Sequence, residues 1–194
     1  MTDSRGEWPA CFLDRDGTVT EERGYAASAE AIALLPGVGA AIARLNAAGI
    51  AAIVVTNQSG IGRGYFDEAA LAAQHDRLRE LLAAEGARLD GLYHCPHLPT
   101  AGCDCRKPAT GMLARAAAEL GLDLTRSWMV GDRVADVECG ARGAAGGLLV
   151  LTGYGRESVA SAGEEFRPAQ VCADLSAAVA WLLAQLAPGA DAPG

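Results

Sequence analysis

Two carboxylates stand two residues apart in Asp14-Arg15-Asp16-Gly17-Thr18, directly after the apolar run Ala10-Cys11-Phe12-Leu13. Like charges that close repel, and each loses hydration on leaving water. A pair kept at the end of a buried strand makes sense when a cation lies between them or when a reaction needs both. Gly17 lets the backbone turn sharply and approach a ligand closely. The same residue types also make an ordinary strand-to-turn exit, so the motif alone leaves both readings open.

Three further motifs follow in order. Thr56-Asn57-Gln58-Ser59-Gly60 offers a hydroxyl, amide donors and a glycine, which suit a phosphate cradle. Arg106-Lys107-Pro108 carries the single lysine of a chain whose sixteen Lys+Arg residues are otherwise all arginine. Lysine is a compact point charge and arginine a wide planar fork, so a lone lysine points to a place where the fork does not fit. Gly131-Asp132-Arg133-Val134-Ala135-Asp136 again puts carboxylates beside a glycine. Coincidence at one such site is ordinary; coincidence at four strand ends is not.

The residue types define a chemistry. Asp14, Asp16 (through a backbone carbonyl) and Asp132 are hard oxygen donors suited to Mg²⁺. Asp14 can attack phosphorus as a carboxylate nucleophile. Asp16 can protonate the leaving alcohol and then take a proton from water. Thr56 and Lys107 can hold the phosphoryl oxygens on which charge spreads. Asn57, Arg63 and Arg106 are candidate substrate contacts, Arg63 as a second cation. Asp136 and Gly17 support the site.

A second cluster reads as a different metal centre. Cys95, His97, Cys103 and Cys105 fall within eleven residues. Three thiolates and an imidazole can close a tetrahedral Zn²⁺ site with no open position, which makes it structural. Cys11, Cys139 and Cys172 read as small buried hydrophobes. His94 reads as a strand-end residue, and His75 lies on a helix with no role assigned.

These motifs need elements to carry them. Short runs apolar on both faces predict strands at 10–14, 50–56, 90–94, 127–131 and 147–152. Helical spacing links Val38, Ile42 and Leu45; then Leu71, Leu78 and Leu82 behind a capping Asp67; then Leu113, Ala116, Ala117 and Leu120 before Gly121. Asp174 caps a last helix with Leu175, Val179, Leu182 and Leu186. The rhythm predicts an α/β fold, a doubly wound parallel sheet with ligands at the strands' carboxyl ends. A single domain is expected over residues 1–187, with a small polar tail at 188–194.

The ordered set resembles the four motifs of the haloacid dehalogenase (HAD) phosphatases over roughly residues 10–152. The resemblance implies a Rossmann-like domain, Mg²⁺ dependence and an aspartyl-phosphate intermediate. Only 39 residues separate Asp16 from Thr56 and 50 separate Thr56 from Lys107, which implies a capless member whose entrance is shaped by loops 19–31 and 95–105. The zinc pattern is similar to one branch of the superfamily. The run from Asn57 through Arg63 to Phe66 resembles members acting on the 7-phosphate of a heptose bisphosphate, while the short gap from His97 to Cys103 is similar to those acting on histidinol phosphate. A non-catalytic phospholigand-binding module is the third reading, opposed by the presence of both Asp14 and Asp16.

Composition narrows the rest. The net charge of −8 argues against nucleic acid as a partner. No apolar run reaches the ~20 residues of a membrane helix, and residues 1–9 hold no apolar signal segment. The expectation is a cytoplasmic monomer acting on a small phosphorylated substrate.

Overall fold

The structure, a computed structural model, describes residues 8–186. The tail expected at 188–194 lies outside the described residues. Six strands form one parallel sheet: β1 (Ala10–Leu13), β2 (Ala51–Asn57), β3 (Gly91–Cys95), β4 (Trp128–Gly131), β5 (Gly146–Val150) and β6 (Gln170–Cys172), in the order β3-β2-β1-β4-β5-β6. The helices are α1 (Val38–Ala47), α2 (Ser59–Gly62), α3 (Glu68–Ala84), α4 (Gly111–Leu120), α5 (Val134–Gly143), α6 (Gly155–Ser161) and α7 (Leu175–Leu186).

Strand alternation splits the core into two layers. Ala10, Phe12, Ile53, Val55 and Met129 face Met112, Leu113 and Ala116 of α4 and Cys139 of α5. Cys11, Leu13, Val54, Val130 and Leu148 face Ile42 and Leu45 of α1, Leu78 and Leu82 of α3, and Val179 and Leu182 of α7. Strands covered on both faces must be apolar throughout, which is why their sequences run without alternation. Each fully buried Leu, Ile or Phe contributes roughly 2 kcal/mol. Helix limits follow local chemistry: Asp67 accepts from the Ala70 amide at 2.8 Å, Asp174 accepts from the Ala177 amide at 2.8 Å, and Gly121 ends α4 at φ 68°.

Register positions the site. Leu13 pairs with Val54 on one side and Val130 on the other. Asp14 therefore leaves the sheet next to the ends of β2 and β4, where the strand order reverses and such folds bind ligands. The chain after β1 turns back on itself, with the amides of Val19 and Thr20 donating to the Arg15 carbonyl and Thr20 bridging to Asp16 and Leu34. Among the described residues neither this segment nor the β2–β3 connection folds into a separate cap.

The expected strands match β1–β5 to within one or two residues. β6, α2, α5 and α6 are additions to that reading.

Candidate active site

The ends of β1, β2 and β4 and the segment leading into α4 converge on a cavity of about 450 Å³ lined by Asp14, Asp16, Asn57, Arg106, Lys107 and Asp136, among others. Lys107 is its pivot. Its ammonium Nζ lies 2.8 Å from Asp14 Oδ1, 2.7 Å from Asp136 Oδ1 and 2.8 Å from the Val55 carbonyl oxygen, to which it donates. An ammonium has three donors, so all are engaged. Asn57 locks the residue from outside: its amide nitrogen donates to the Lys107 carbonyl at 3.2 Å and its Oδ1 accepts from the Lys107 amide at 3.1 Å.

Carboxylate oxygens of Asp14, Asp132 and Asp136 all lie within 4.8 Å of one another, and all three residues are buried. Two glycines make this crowding possible. A Cβ on Gly17, at φ +82°, would stand 2.2 Å from Asp132 Oδ2, and a Cβ on Gly131 would stand 2.2 Å from Asp136 Oδ2. Asp132 Oδ2 accepts from the Tyr154 amide at 2.7 Å, whereas Asp132 Oδ1 is buried with no hydrogen-bond partner.

Three carboxylates around one ammonium leave two negative charges in excess. Burial pushes the Asp14 carboxyl up to about 8, opposed by Lys107 and reinforced by Asp136 and Asp132. Burial likewise raises Asp132 to about 6, against the hydrogen bond from Tyr154. Burial works against the charge on Lys107, but Asp136 and Asp14 more than offset it, so the lysine holds its proton more tightly than usual. The excess charge and the orphaned Asp132 Oδ1 fit a hard cation such as Mg²⁺.

This carboxylate group holds Asp14 and Asp132 of the expected Mg²⁺ set and adds Asp136, expected only as support. Asp16 was expected to contribute its backbone carbonyl, and its carboxylate lies outside the group. Arg15 grips Asp16 instead, with Nε 3.0 Å from Oδ1 and Nη2 2.9 Å from Oδ2. Gln58 Nε2 donates to Asp16 Oδ2 at 2.9 Å and to Thr56 Oγ1 at 2.8 Å. Thr56 is buried at 1% exposure and does not line the cavity.

Arg106 lines the cavity and donates to the His97 carbonyl at 3.3 Å. Arg63 is exposed and does not line it, standing instead over the Tyr25 ring at 5.7 Å. Arg133 also lines the cavity, stacked 4.0 Å from the Tyr154 ring centroid. Sequence reasoning passed over Arg133, Tyr154 and Gln58, although Arg133 and Gln58 each sit inside a motif it used.

The cysteine cluster is assembled. The three sulfurs lie 3.2, 3.5 and 3.7 Å apart, and His97 Nδ1 lies 3.3 Å from Cys105 Sγ and 3.6 Å from Cys95 Sγ. A tetrahedron with bonds of about 2.3 Å has edges of about 3.8 Å, so the donor set fits zinc. Cys11, Cys139 and Cys172 are buried and free, as expected.

A HAD-hydrolase-like family profile matches residues 104–178. A D-glycero-D-manno-heptose-1,7-bisphosphate 7-phosphatase of Thermosynechococcus vestitus is 44% identical over 192 residues, covering 93% of this chain and 98% of that protein. The D-glycero-beta-D-manno-heptose-1,7-bisphosphate 7-phosphatase of Bordetella bronchiseptica is 40% identical, covering 89% and 96%. The crystal structure of D,D-heptose 1,7-bisphosphate phosphatase from B. bronchiseptica, complexed with magnesium and phosphate, matches with a TM-score of 0.83 at 39% identity over 91% of this chain and 99% of that one. The corresponding enzyme from Burkholderia thailandensis matches with a TM-score of 0.70 at 34% identity, covering 90% and 98%.

Proposed function

The chain belongs to the haloacid dehalogenase superfamily and is a phosphoric monoester hydrolase, and on that premise we propose that it removes the 7-phosphate from D-glycero-D-manno-heptose 1,7-bisphosphate. The observation that carries the substrate is the 44% identity to a protein of that name over 98% of its length. The cavity supports it: Arg106 and Arg133 stand beside the Lys107 site, giving cations for a second phosphate. Arg63 was expected to fill that role, but it stands outside the cavity lining. Histidinol phosphate is not favoured, because the relatives matched over nearly the whole chain carry the heptose bisphosphate name.

Asp14, Asp132 and Asp136 are the groups that would hold Mg²⁺, with Asp16 contributing its backbone carbonyl. When bound, such a cation would supply charge neutralisation, with which Asp14 would stay anionic at neutral pH. Asp14 attacks phosphorus in line with the leaving oxygen. The P–O bond to the sugar breaks as Asp16 delivers a proton to that oxygen, leaving a phospho-aspartate and a free hydroxyl. Asp16, now a carboxylate, takes a proton from water; the hydroxide attacks phosphorus and Asp14 departs, releasing phosphate. Lys107 exchanges one of its present acceptors for a phosphoryl oxygen. Thr56 acts through Gln58, and Asn57 holds Lys107 in place. Gly17 leaves room for Asp132.

Cys95, His97, Cys103 and Cys105 would hold a structural zinc that pins the segment leading into Arg106 and Lys107. The same reading takes residues 1–187 as one domain acting as a monomer in the cytoplasm. All six cysteines are free thiols, which fits a reducing compartment.

Parallel turnover of heptose bisphosphate and histidinol phosphate, read as released phosphate, tests the proposal. Preference for the heptose ester by tenfold or more in kcat/KM is the expected result; equal or reversed preference overturns it.

A further inference from the structure

Gln74 is a glutamine with no exposed surface in the middle of a helix whose other buried residues are mostly leucine. An unpaired buried amide is costly, so where its two ends go is informative. Gln74 Oε1 accepts from Arg15 Nη1 at 3.1 Å, and Gln74 Nε2 donates to the Ala26 carbonyl at 2.9 Å. Arg15, itself only 2% exposed, places two further donors, one on each oxygen of Asp16. Ala26 follows Gly24 and Tyr25, which line the cavity mouth. One buried amide thus connects the loop over the cavity to the guanidinium that aims Asp16.

We propose that Gln74 is a positioning residue for proton transfer, fixing Arg15 so that its fork holds Asp16 toward the leaving oxygen and tying that grip to the loop at Ala26. The inference rests on the reading of Asp16 as general acid given above. When Asp16 gives its proton to the leaving oxygen it becomes a carboxylate, and a carboxylate is what a two-pronged guanidinium binds best. The Arg15 contact therefore strengthens as the P–O bond breaks, which is the kind of interaction that accelerates a step. Gln74 keeps the guanidinium from swinging away and leaves its geometry set before substrate arrives.

The test separates leaving groups. An alkyl phosphate needs its departing oxygen protonated; p-nitrophenyl phosphate releases a stable anion and does not. Values of kcat/KM, which cover steps only through departure of the first product, are compared for the parent, Asp16→Asn and Gln74→Met on heptose bisphosphate (or glucose 6-phosphate if the heptose ester is not turned over) and on p-nitrophenyl phosphate. Gln74→Met is expected to lose about tenfold on the alkyl ester, a fraction of what general acid catalysis supplies, and far less on the aryl ester, following the pattern of Asp16→Asn. Arg15→Lys keeps the charge without the fork and gives the same selective loss, so it carries the test if Gln74→Met does not fold. Equal losses on both esters, or no loss, overturn the inference. If Asp16→Asn itself loses equally on both, the general-acid assignment falls and this inference with it; if Asp16→Asn is selective and Gln74→Met is not, only the role of Gln74 falls.

Discussion

Lys107 Nζ stands 2.8 Å from Asp14 Oδ1, with the two side chains only 2% and 10% open to solvent. The lysine is held by three acceptors at once, and a planar guanidinium cannot reproduce that three-way contact. Lys107→Arg should therefore lower kcat at least about tenfold, the equivalent of ~1.4 kcal/mol in transition-state stabilisation. Steady-state kinetics on the preferred ester decide it; parental turnover would reduce the lone lysine to an accident of composition.

Asp14→Asn should separate activity from stability. An amide is a poor nucleophile, so turnover should fall by more than ~10³-fold. The same change removes one of three crowded carboxylates. A carboxyl whose folded pKa is about 8 penalises the folded state once pH exceeds its unfolded value near 4, and the penalty grows as pH rises toward 8. Metal-free Asp14→Asn should thus be more stable than the parent by roughly 1–3 kcal/mol at neutral pH, with the gain vanishing as pH drops to 4. Denaturant melts in EDTA measure this, and a destabilised variant would contradict the charge-excess account.

The two metal centres should come apart under chelation. EDTA is expected to abolish activity quickly, with Mg²⁺ restoring it, while about one zinc per chain stays bound until thiols are modified or the chain unfolds. Elemental analysis of protein purified under reducing conditions provides the readout. Protein that is folded and active yet holds no zinc would remove the structural site.

His75 gives an acid-side signature. Burial lowers its pKa to about 3, helped by the charges of Arg15, His94 and Arg79, and its Nε2 has no partner. The folded state keeps this ring neutral while the unfolded chain protonates it near 6.5. Its contribution is intact above pH 6.5 and is lost as pH falls from there toward 3, at up to about 1.4 kcal/mol per pH unit. Comparing parent with His75→Gln isolates this slope from the opposing carboxylates; identical pH-stability curves would rule it out.

How much of this was legible beforehand depends on what carried the signal. Strands β1–β5 and the helices led by Asp67 and Asp174 announce themselves because burial on both faces and side-chain caps leave local marks. β6 does not: it is three residues long at the sheet edge, with Gln170 and Val171 exposed. α5 is hidden by its glycines. A Cβ on Gly140 would stand 2.5 Å from the Gly146 carbonyl, so tight helix–strand packing demands residues that read as loop. At the site, Asp14, Lys107 and Asp132 follow from motif order. That Asp136 joins the carboxylate group while the Asp16 side chain is held aside depends on the fold: Arg15 is its neighbour in the chain, but Gln58 reaches it from a segment distant in sequence. Arg63 misleads for the opposite reason: its charge and loop suggest a ligand, but only the fold reveals that it rests on Tyr25.

The burial of Lys107 also gives the chain a native reporter. It is the only side-chain amine in the sequence, and just 2% of it meets solvent. Acylating reagents that decorate lysines on other proteins find no ε-amino target on this folded surface. Modification of Lys107 then requires its ammonium to leave Asp14, Asp136 and the Val55 carbonyl, so a single mass increment at one peptide times that release without an introduced label.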